Sequence, residues 1–204
     1  MIIIGITGSI GMGKTTIAQM LRRFNIPIFD SDNEVKNILE NDDNVKSQII
    51  EIWPNVKIRE DNRTKIDKTL LSKIIFSKKT NRKKLERIIH PLVKMKRDVF
   101  IKNNYNSFIM ALDIPLLYET GTDKICDEVF LTYTNQIKQR ERVLARANMS
   151  EDVFNFINKV QWDTEKKKMK KPFLVTTTYG KLISFILVTI YLIIIIIKKK
   201  VIKL

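Results

Sequence analysis

The sequence predicts an α/β fold in which a parallel sheet is covered by helices on both faces, giving three layers. Residues 2–6 are a short, wholly apolar run, which is typical of a strand buried on both faces of a parallel sheet. A glycine-rich loop follows, and residues 15–24 then carry apolar side chains at helical spacing. Residues 26–29 form a second short apolar segment. This order of strand, loop, helix and strand is the start of an alternating α/β chain.

The remaining pattern predicts a helical insertion and then a return to the sheet. Residues 34–104 are heavily charged, with apolar residues at three- and four-residue steps and an interruption near Trp53 and Pro54. Residues 107–112 and 128–132 have the composition of further buried strands. Two more helices are expected, a basic one over residues 135–147 and a second over residues 151–171.

Length, charge and cysteine content limit the class of protein. With 204 residues and a net charge of +15, the chain suits one domain, or one domain with an insertion. Residues 159–204 hold 11 lysines and two acids, so most of the excess charge lies in the tail. Lysine runs are usually solvated, and we expect no specific nucleic-acid partner. The single Cys126 and an N-terminus without a basic segment predict a reducing, cytoplasmic location.

The tail itself has an unusual composition. Residues 182–197 are almost entirely apolar and are followed by Lys198, Lys199 and Lys200. A bilayer span needs roughly 20 apolar residues, so this run is slightly short. It leaves three alternatives open: a membrane anchor, a final strand and helix of the core, or out-of-frame sequence. Five successive isoleucines favour a strand.

The glycine-rich loop carries the clearest functional signal. It fits G-x-x-x-x-G-K-[ST] and lies between a predicted strand and a predicted helix, which is the context that a phosphate-binding loop requires. Backbone N–H groups and the helix N-terminus would bind phosphate oxygens of ATP, Lys14 would neutralise the β- and γ-phosphates, and Thr15 would ligate Mg²⁺. We therefore predict a fold of the P-loop NTPase type. The loop residues are Gly8, Ser9, Ile10, Gly11, Met12, Gly13, Lys14 and Thr15.

Three acids follow predicted strands. Asp30 and Asp32 come after the second strand, and Asp113 directly follows the apolar run at 107–112. Ligands of open α/β sheets bind at the carboxyl ends of the strands. A carboxylate there can accept a proton from an attacking hydroxyl or help to hold Mg²⁺. A helix N-cap is the structural alternative for each of them.

Basic residues late in the chain, and one histidine, are further candidates. Arg140, Arg142 and Arg146 share a predicted helix and could stabilise the charge of a transferring phosphoryl group, or could form a solvated face. His90, the only histidine, precedes Pro91. A lone histidine is more often structural than catalytic.

Several motifs, in order, resemble the dephospho-CoA kinase family. The resemblance spans residues 1 to about 165, and its joint order is specific. It rests on Gly5–Thr16 with the Thr7-Gly8 lead-in, Asp30-Ser31-Asp32, Leu85–Pro91 ending in His90-Pro91, Pro115-Leu116-Leu117-Tyr118-Glu119, Gln139 through Arg142 to Arg146, and Gln161.

The resemblance implies an ATP-dependent phosphotransferase that acts on an alcohol group, phosphorylating the ribose 3′-hydroxyl of dephospho-CoA in the last step of CoA biosynthesis. It implies catalytic roles for Asp32 (the base), Lys14, Arg142 and Arg146, and nucleotide binding by residues 8–15 and Thr16. Thr15 and Asp113 would hold Mg²⁺. We expect a monomer or a weak oligomer. The implied substrate residues are His90, Pro91, Pro115, Leu116, Leu117 and Glu119.

The same resemblance implies three parts, and the tail, which departs from the family pattern, is a fourth region. Residues 1–33 and 105–135 would form the nucleotide-binding core, 34–104 a helical CoA-substrate region, 136–171 a helical lid, and 172–204 an atypical apolar and basic tail.

Some positions depart from the family pattern. Thr64 and Lys68 replace a glycine and an arginine, and Pro172 replaces an acid before the tail. We hypothesise that the tail has been altered, as a frameshift would do. Two other functions stay open: a kinase for another small acceptor, and a nucleotide-binding protein without turnover that is tethered to a membrane through residues 182–197.

Overall fold

The computed structural model of the chain describes residues 1–60, 63–147 and 149–201. They form two compact units. Unit 1 joins residues 1–30 to residues 104–204, and unit 2 is the inserted segment 31–103. The insertion predicted at 34–104 therefore corresponds to a unit whose boundaries are 31 and 103.

The described residues form seven strands and nine α-helices. The strands are β1 Ile2–Thr7, β2 Ile28–Asp30, β3 Lys57–Glu60, β4 Arg63–Ile66, β5 Ile109–Asp113, β6 Glu128–Tyr133 and β7 Phe173–Thr176. The α-helices are α1 Lys14–Arg23, α2 Ser31–Asn41, α3 Asp43–Ile52, α4 Lys68–Ser77, α5 Lys79–Asn103, α6 Gln136–Leu144, α7 Glu151–Val160, α8 Thr164–Lys168 and α9 Lys181–Val201.

Unit 1 is built on a five-stranded sheet in the order β2-β5-β1-β6-β7, and every neighbouring pair in it is parallel. Strands β1 and β5 are buried along their whole length, which explains why their sequences are apolar without alternation. The predicted α/β fold with a parallel sheet is confirmed. Register pairs Asp113 with both Asp30 and Ile6, so the ends of β2, β5 and β1 lie side by side.

The isoleucine-rich tail is helical, and the strand that its composition favoured is wrong. Helix α9 buries Val188, Leu192 and Ile195 in the main core of unit 1, which also contains residues of β1 and α1. The Tyr191 hydroxyl donates to the Leu174 carbonyl at 3.0 Å. Burial of one helix face against the sheet outweighs the modest β-propensity of isoleucine. Of the described helices, α9 alone has the length and composition to cross a membrane.

Unit 2 has a core of its own, to which α2, α3, α4 and α5 contribute, with Ile49 and Val56 fully buried. It also contains an antiparallel hairpin of β3 and β4, which the expectation of a mostly helical insertion did not include. The hairpin was hard to predict because each strand has only four residues and Ile58, one of its few apolar side chains, is 40% exposed. The interruption predicted near Trp53 and Pro54 is present as a 3₁₀ turn over Pro54–Val56.

Candidate phosphoryl-transfer site

The phosphate loop connects β1 to α1, as its mechanism requires. Gly11 and Gly13 adopt positive φ angles of 77° and 91°, which side chains other than glycine rarely tolerate. A Cβ on Gly13 would also lie 2.8 Å from Thr177 Cγ2. Because the N-cap of α1 is Gly13, no side chain of that residue competes for the first amide groups of the helix. These amide groups and the helix dipole form a site that favours an anion.

Lys14 and Asp113 meet beside this loop. The Lys14 Nζ lies 3.8 Å from Asp113 Oδ1, and both side chains are at most 15% exposed. Asp30 stands next to Asp113 in the neighbouring strand, and Thr15 follows Lys14 on the exposed side of α1. A cation and carboxylates thus lie at one edge of the sheet, which is the edge where α/β proteins bind their ligands.

The donor set fits Mg²⁺ if the nucleotide completes it. The described residues contain no cluster of three or more His, Cys, Asp or Glu side chains that could hold a metal. Mg²⁺ usually binds through one or two protein oxygens together with substrate phosphates, rather than in a cage made only of protein. The Asp113 carboxylate and the Thr15 hydroxyl supply oxygens of that type.

Asp32, His90 and Pro91 belong to unit 2. Asp32 lies in the first turn of α2, two residues after Asp30, and its side chain is exposed. His90 and Pro91 lie inside α5 and are also exposed. Pro91 has no N–H to donate to the Arg87 carbonyl, so it interrupts the hydrogen bonds of the helix at that turn.

Two glutamines of the predicted lid hold the tip of the phosphate loop. The Ile10 N–H donates to Gln161 Oε1 at 2.9 Å, and Gln139 Nε2 donates to the Ile10 carbonyl at 2.8 Å. Both backbone groups of one loop residue are thus bound by carboxamides from the segment that begins with α6. The sequence comparison of motifs located both glutamines but gave neither of them a role.

The segment after Gln161 is fixed by a buried ion pair. Glu119 Oε1 accepts from the Trp162 N–H at 2.7 Å and lies 3.3 Å from Lys167 Nζ. The Lys167 side chain has no exposed surface, and that of Glu119 is 12% exposed. Burial lowers the pKa of Lys167, and the Glu119 carboxylate opposes that change. Glu119 therefore holds the protein's own chain in place, and its predicted contact with substrate stays a prediction.

Lys167 was missed by sequence reasoning because it lies in the middle of a lysine run. Lys166 and Lys168, its neighbours, are at the surface, and the run resembles a solvated face. The signal that could have found it is its position on α8: the continuous helix expected over 151–171 is broken at 161–163, and Asp163 caps the new helix. This break turns Lys167 inward.

Arg142 is bound to the start of the tail. Its two terminal nitrogens donate to Thr177 Oγ1 and to the Thr177 carbonyl, both at 2.8 Å. Thr177 Oγ1 in turn donates to the Met12 carbonyl of the phosphate loop at 3.1 Å. Arg142 is therefore one side chain away from the loop, while Arg146 is exposed just beyond α6. Arg140 pairs with Glu151 on the surface.

The segment Pro115-Leu116-Leu117 follows β5 after one intervening residue, Ile114. The Thr7 hydroxyl donates to the Pro115 carbonyl at 3.0 Å. Leu117 is fully buried, and a Cβ on Gly5 would lie 2.7 Å from its Cδ2. Leu117 therefore packs under β1, whereas Pro115 and Leu116 are half-buried and can face a ligand.

Comparison with known proteins adds sequence relatives of one kind. Residues 2–180 match the family described as CoaE, dephospho-CoA kinase. A dephospho-CoA kinase of Bartonella henselae is 37% identical over 86% of this chain and 88% of that protein. One from Rhodopseudomonas palustris (strain HaA2) is 33% identical over 88% of both chains.

Solved structures show the same architecture. TT1252 from Thermus thermophilus matches with a TM-score of 0.77 and 26% identity, over 94% of this chain and 96% of that one. The dephospho-CoA kinase from Campylobacter jejuni matches with a TM-score of 0.65 and 23% identity, over 93% and 94%. A deoxyadenosine kinase from M. mycoides, at 0.53 and 14%, covers 94% and 99% and shares the fold.

Proposed function

Because this chain belongs to the dephospho-CoA kinase family, we propose that it transfers the γ-phosphoryl group of ATP to the ribose 3′-hydroxyl of dephospho-CoA, giving CoA and ADP. The observation that carries the proposal is the phosphate loop between β1 and α1, with Lys14 and Asp113 beside it. The Leu-Glu-x-x-x-His-Pro and Pro-Leu-Leu motifs support dephospho-CoA as the acceptor, because these motifs are not expected in other nucleotide kinases.

The residues of unit 1 would bind and neutralise the donor. The loop amides and the N-terminus of α1 hold phosphate oxygens, and the Lys14 ammonium offsets charge that builds on the γ-phosphoryl oxygens. Thr15 and Asp113 would hold Mg²⁺, which supplies further charge neutralisation when bound. Because Gln139 and Gln161 fix Ile10, the loop keeps its shape before ATP binds. The entropic cost of ordering the loop on ATP binding is therefore small.

Each unit also contains residues that we assign to the acceptor. Asp32 would accept the proton of the 3′-hydroxyl as the oxygen attacks phosphorus. In unit 2, His90 and Pro91 would contact dephospho-CoA. In unit 1, Pro115 and Leu116 would contact it, and Leu117 and Glu119 would hold the segment 115–119 in place. Arg146, and Arg142 once it exchanges Thr177 for a phosphate, would stabilise the transferring group and help to exclude water.

The protein is proposed to act in the cytoplasm as a monomer or weak oligomer. Cys126 is the single cysteine, so no disulfide can form within the chain, in keeping with a reducing compartment.

The test is a coupled assay of the full-length protein with Mg-ATP and dephospho-CoA, in which CoA is identified by mass. Lys14→Ala is the blank, and Lys124→Ala, an exposed lysine of the same unit, is the matched control. We expect Lys14→Ala and Asp32→Ala each to lower turnover at least about 100-fold, and the control to be unchanged. Asp30→Asn, assayed beside Asp32→Ala, shows which of the two neighbouring acids turnover depends on.

Two results would contradict the proposal. Transfer to adenosine or deoxyadenosine but not to dephospho-CoA would reassign the acceptor. ATP binding without transfer to any acceptor would leave a nucleotide-binding protein. Near-normal turnover of Asp32→Ala would remove its assignment as base while leaving the reaction in place.

A further inference from the structure

The outward side of α9 is a continuous apolar stripe. Its inward side buries Ser184, Val188, Leu192 and Ile195. The opposite side shows large apolar residues at steps of three and four, which places them above one another along the helix. They are between 44% and 71% exposed, and they are Leu182, Ile186, Ile190, Ile193, Ile197 and Val201. A stripe of this length on a surface marks an interaction site.

Basic residues border the stripe. Lys181 and Lys200 are exposed at its two ends, and no acid occurs between residues 181 and 204. Arg22 and Arg23 of α1 are also exposed, and they directly precede Phe24, whose ring stacks on Phe185 of α9 with a centroid distance of 5.5 Å. Lys198 and Lys199 are not available in the same way, since they pair with Glu128 and Asp127.

We infer that the outer face of α9 docks on an anionic membrane surface, with the helix lying in the interface. An apolar face with cations at its edges is the pattern of interfacial helices, which insert apolar side chains among acyl chains while basic groups meet lipid phosphates. With 21 residues, α9 is about 30 Å long, so the stripe offers an extended contact.

The packing of α9 separates this arrangement from a membrane span. To cross a bilayer, the helix would have to leave the sheet and pull Val188, Leu192 and Ile195 out of the core of unit 1. The Ser184 hydroxyl would lose the Thr176 carbonyl at 2.8 Å, and Tyr191 would lose Leu174. Docking through the outer face keeps all of these contacts.

Charge also separates a lipid surface from a second copy of the chain. Two α9 helices packed along their stripes would place lysine against lysine in both orientations. Parallel helices bring Lys200 to Lys200, and antiparallel helices bring Lys181 to Lys200. Like charges at both ends oppose that pairing, whereas an anionic surface complements them.

The experiment is vesicle flotation with the full-length, wild-type protein at low salt. The probes are vesicles of phosphatidylcholine alone and of phosphatidylcholine with about one third phosphatidylserine. The test variant is Ile193→Gln with Ile197→Gln, and the matched control is Met95→Gln with Val99→Gln, two residues of α5 with the same exposure of about 50%. A charge variant, Lys181→Glu with Lys200→Glu, leaves the stripe intact and guards against misfolding of the first.

We expect the wild type and the α5 control to float with phosphatidylserine vesicles, and at least fivefold less with phosphatidylcholine. Both α9 variants should lose at least about fivefold of this binding while still producing CoA at the wild-type rate. The inference would be overturned if the wild type did not float at low salt. It would also be overturned if the α9 variants floated as well as the wild type. Resistance to alkaline extraction would indicate a span instead. A concentration-dependent dimer that Ile193→Gln with Ile197→Gln abolishes would assign the face to a second copy.

Discussion

Replacing Glu119 with glutamine should expose how strongly the buried Lys167 depends on its partner. The Lys167 ammonium has no exposed surface and lies 3.3 Å from Glu119 Oε1. Glutamine keeps the size of the side chain and an oxygen for the Trp162 N–H, but it removes the charge. Removing one partner of a buried ion pair typically costs about 3–5 kcal/mol, because the remaining charge stays uncompensated.

The same figure can be expressed as a melting temperature. For a protein of about 150–250 residues, 1 kcal/mol corresponds to roughly 2–4 °C, so Glu119→Gln should lower Tm by about 6–20 °C. The double variant Glu119→Gln with Lys167→Met replaces the pair with neutral groups and should lie within about 1 kcal/mol of the wild type. The stability of Lys167→Met alone should lie between those of the single Glu119→Gln variant and the double variant. In Lys167→Met the Glu119 carboxylate stays partly exposed to solvent and still accepts from the Trp162 N–H.

Denaturant unfolding followed by tryptophan fluorescence provides the assay. The two tryptophans report separate units, Trp53 in unit 2 and Trp162 beside the ion pair, so a Trp53→Phe background isolates unit 1. The pH dependence gives an independent check. Loss of Glu119 lowers the pKa of Lys167 further below 10.5, so the penalty is full below that lowered pKa and shrinks as pH rises through it towards 10.5.

A loss below about 1 kcal/mol for Glu119→Gln would refute this reasoning, because it would mean that water reaches Lys167 and replaces the carboxylate. A double variant as unstable as the single one would also refute it, since the damage would then come from packing and not from charge.

Two further predictions concern the phosphate loop and the tail. Gln161→Ala should raise KM for ATP about threefold to tenfold in steady-state kinetics, because the Ile10 N–H loses one hydrogen bond. The control Gln19→Ala, on the exposed side of α1, should leave KM unchanged. An unchanged KM in Gln161→Ala would mean that Gln139 alone holds the loop. Burial alone would raise the pKa of Asp127, but hydrogen bonds from the Ile3 N–H and from Lys199 hold this pKa below 3.8. Asp127→Asn should therefore be less stable than the wild type at neutral pH. That gap should close as pH falls through the lowered pKa, and acid unfolding curves that stay parallel, or that match those of Glu128→Gln, would show that Asp127 has no such role.

The sequence predicted the parts of unit 1 whose local and global requirements agree. Strands β1 and β5 are buried on both faces and therefore read as apolar runs, and the phosphate loop needs glycines at positions that the backbone itself demands. Membership of the dephospho-CoA kinase family, predicted from ordered motifs, is confirmed by the relatives.

What could not be predicted depends on tertiary contacts. Nothing in the run Lys166–Lys168 distinguishes the buried Lys167 from its neighbours until α8 is placed against Glu119. The isoleucine run favoured a strand, and only the core of unit 1 selects the helix. The roles of Asp32, Arg142, Arg146 and the substrate residues stay predictions, which the assay of CoA formation addresses.

The strand order has a consequence for biosynthesis. Strands β1 and β2 are both made within the first 30 residues, but they do not pair with each other, because β5 lies between them. Neither can join its neighbour until Ile109–Asp113 has left the ribosome, and unit 2 is translated in the interval. Unit 2, a continuous segment with its own core, can fold during this wait. The phosphate loop is thus translated early and acquires its supporting sheet late. For about 100 residues of synthesis, the nascent chain carries the apolar strand β1 without a partner strand.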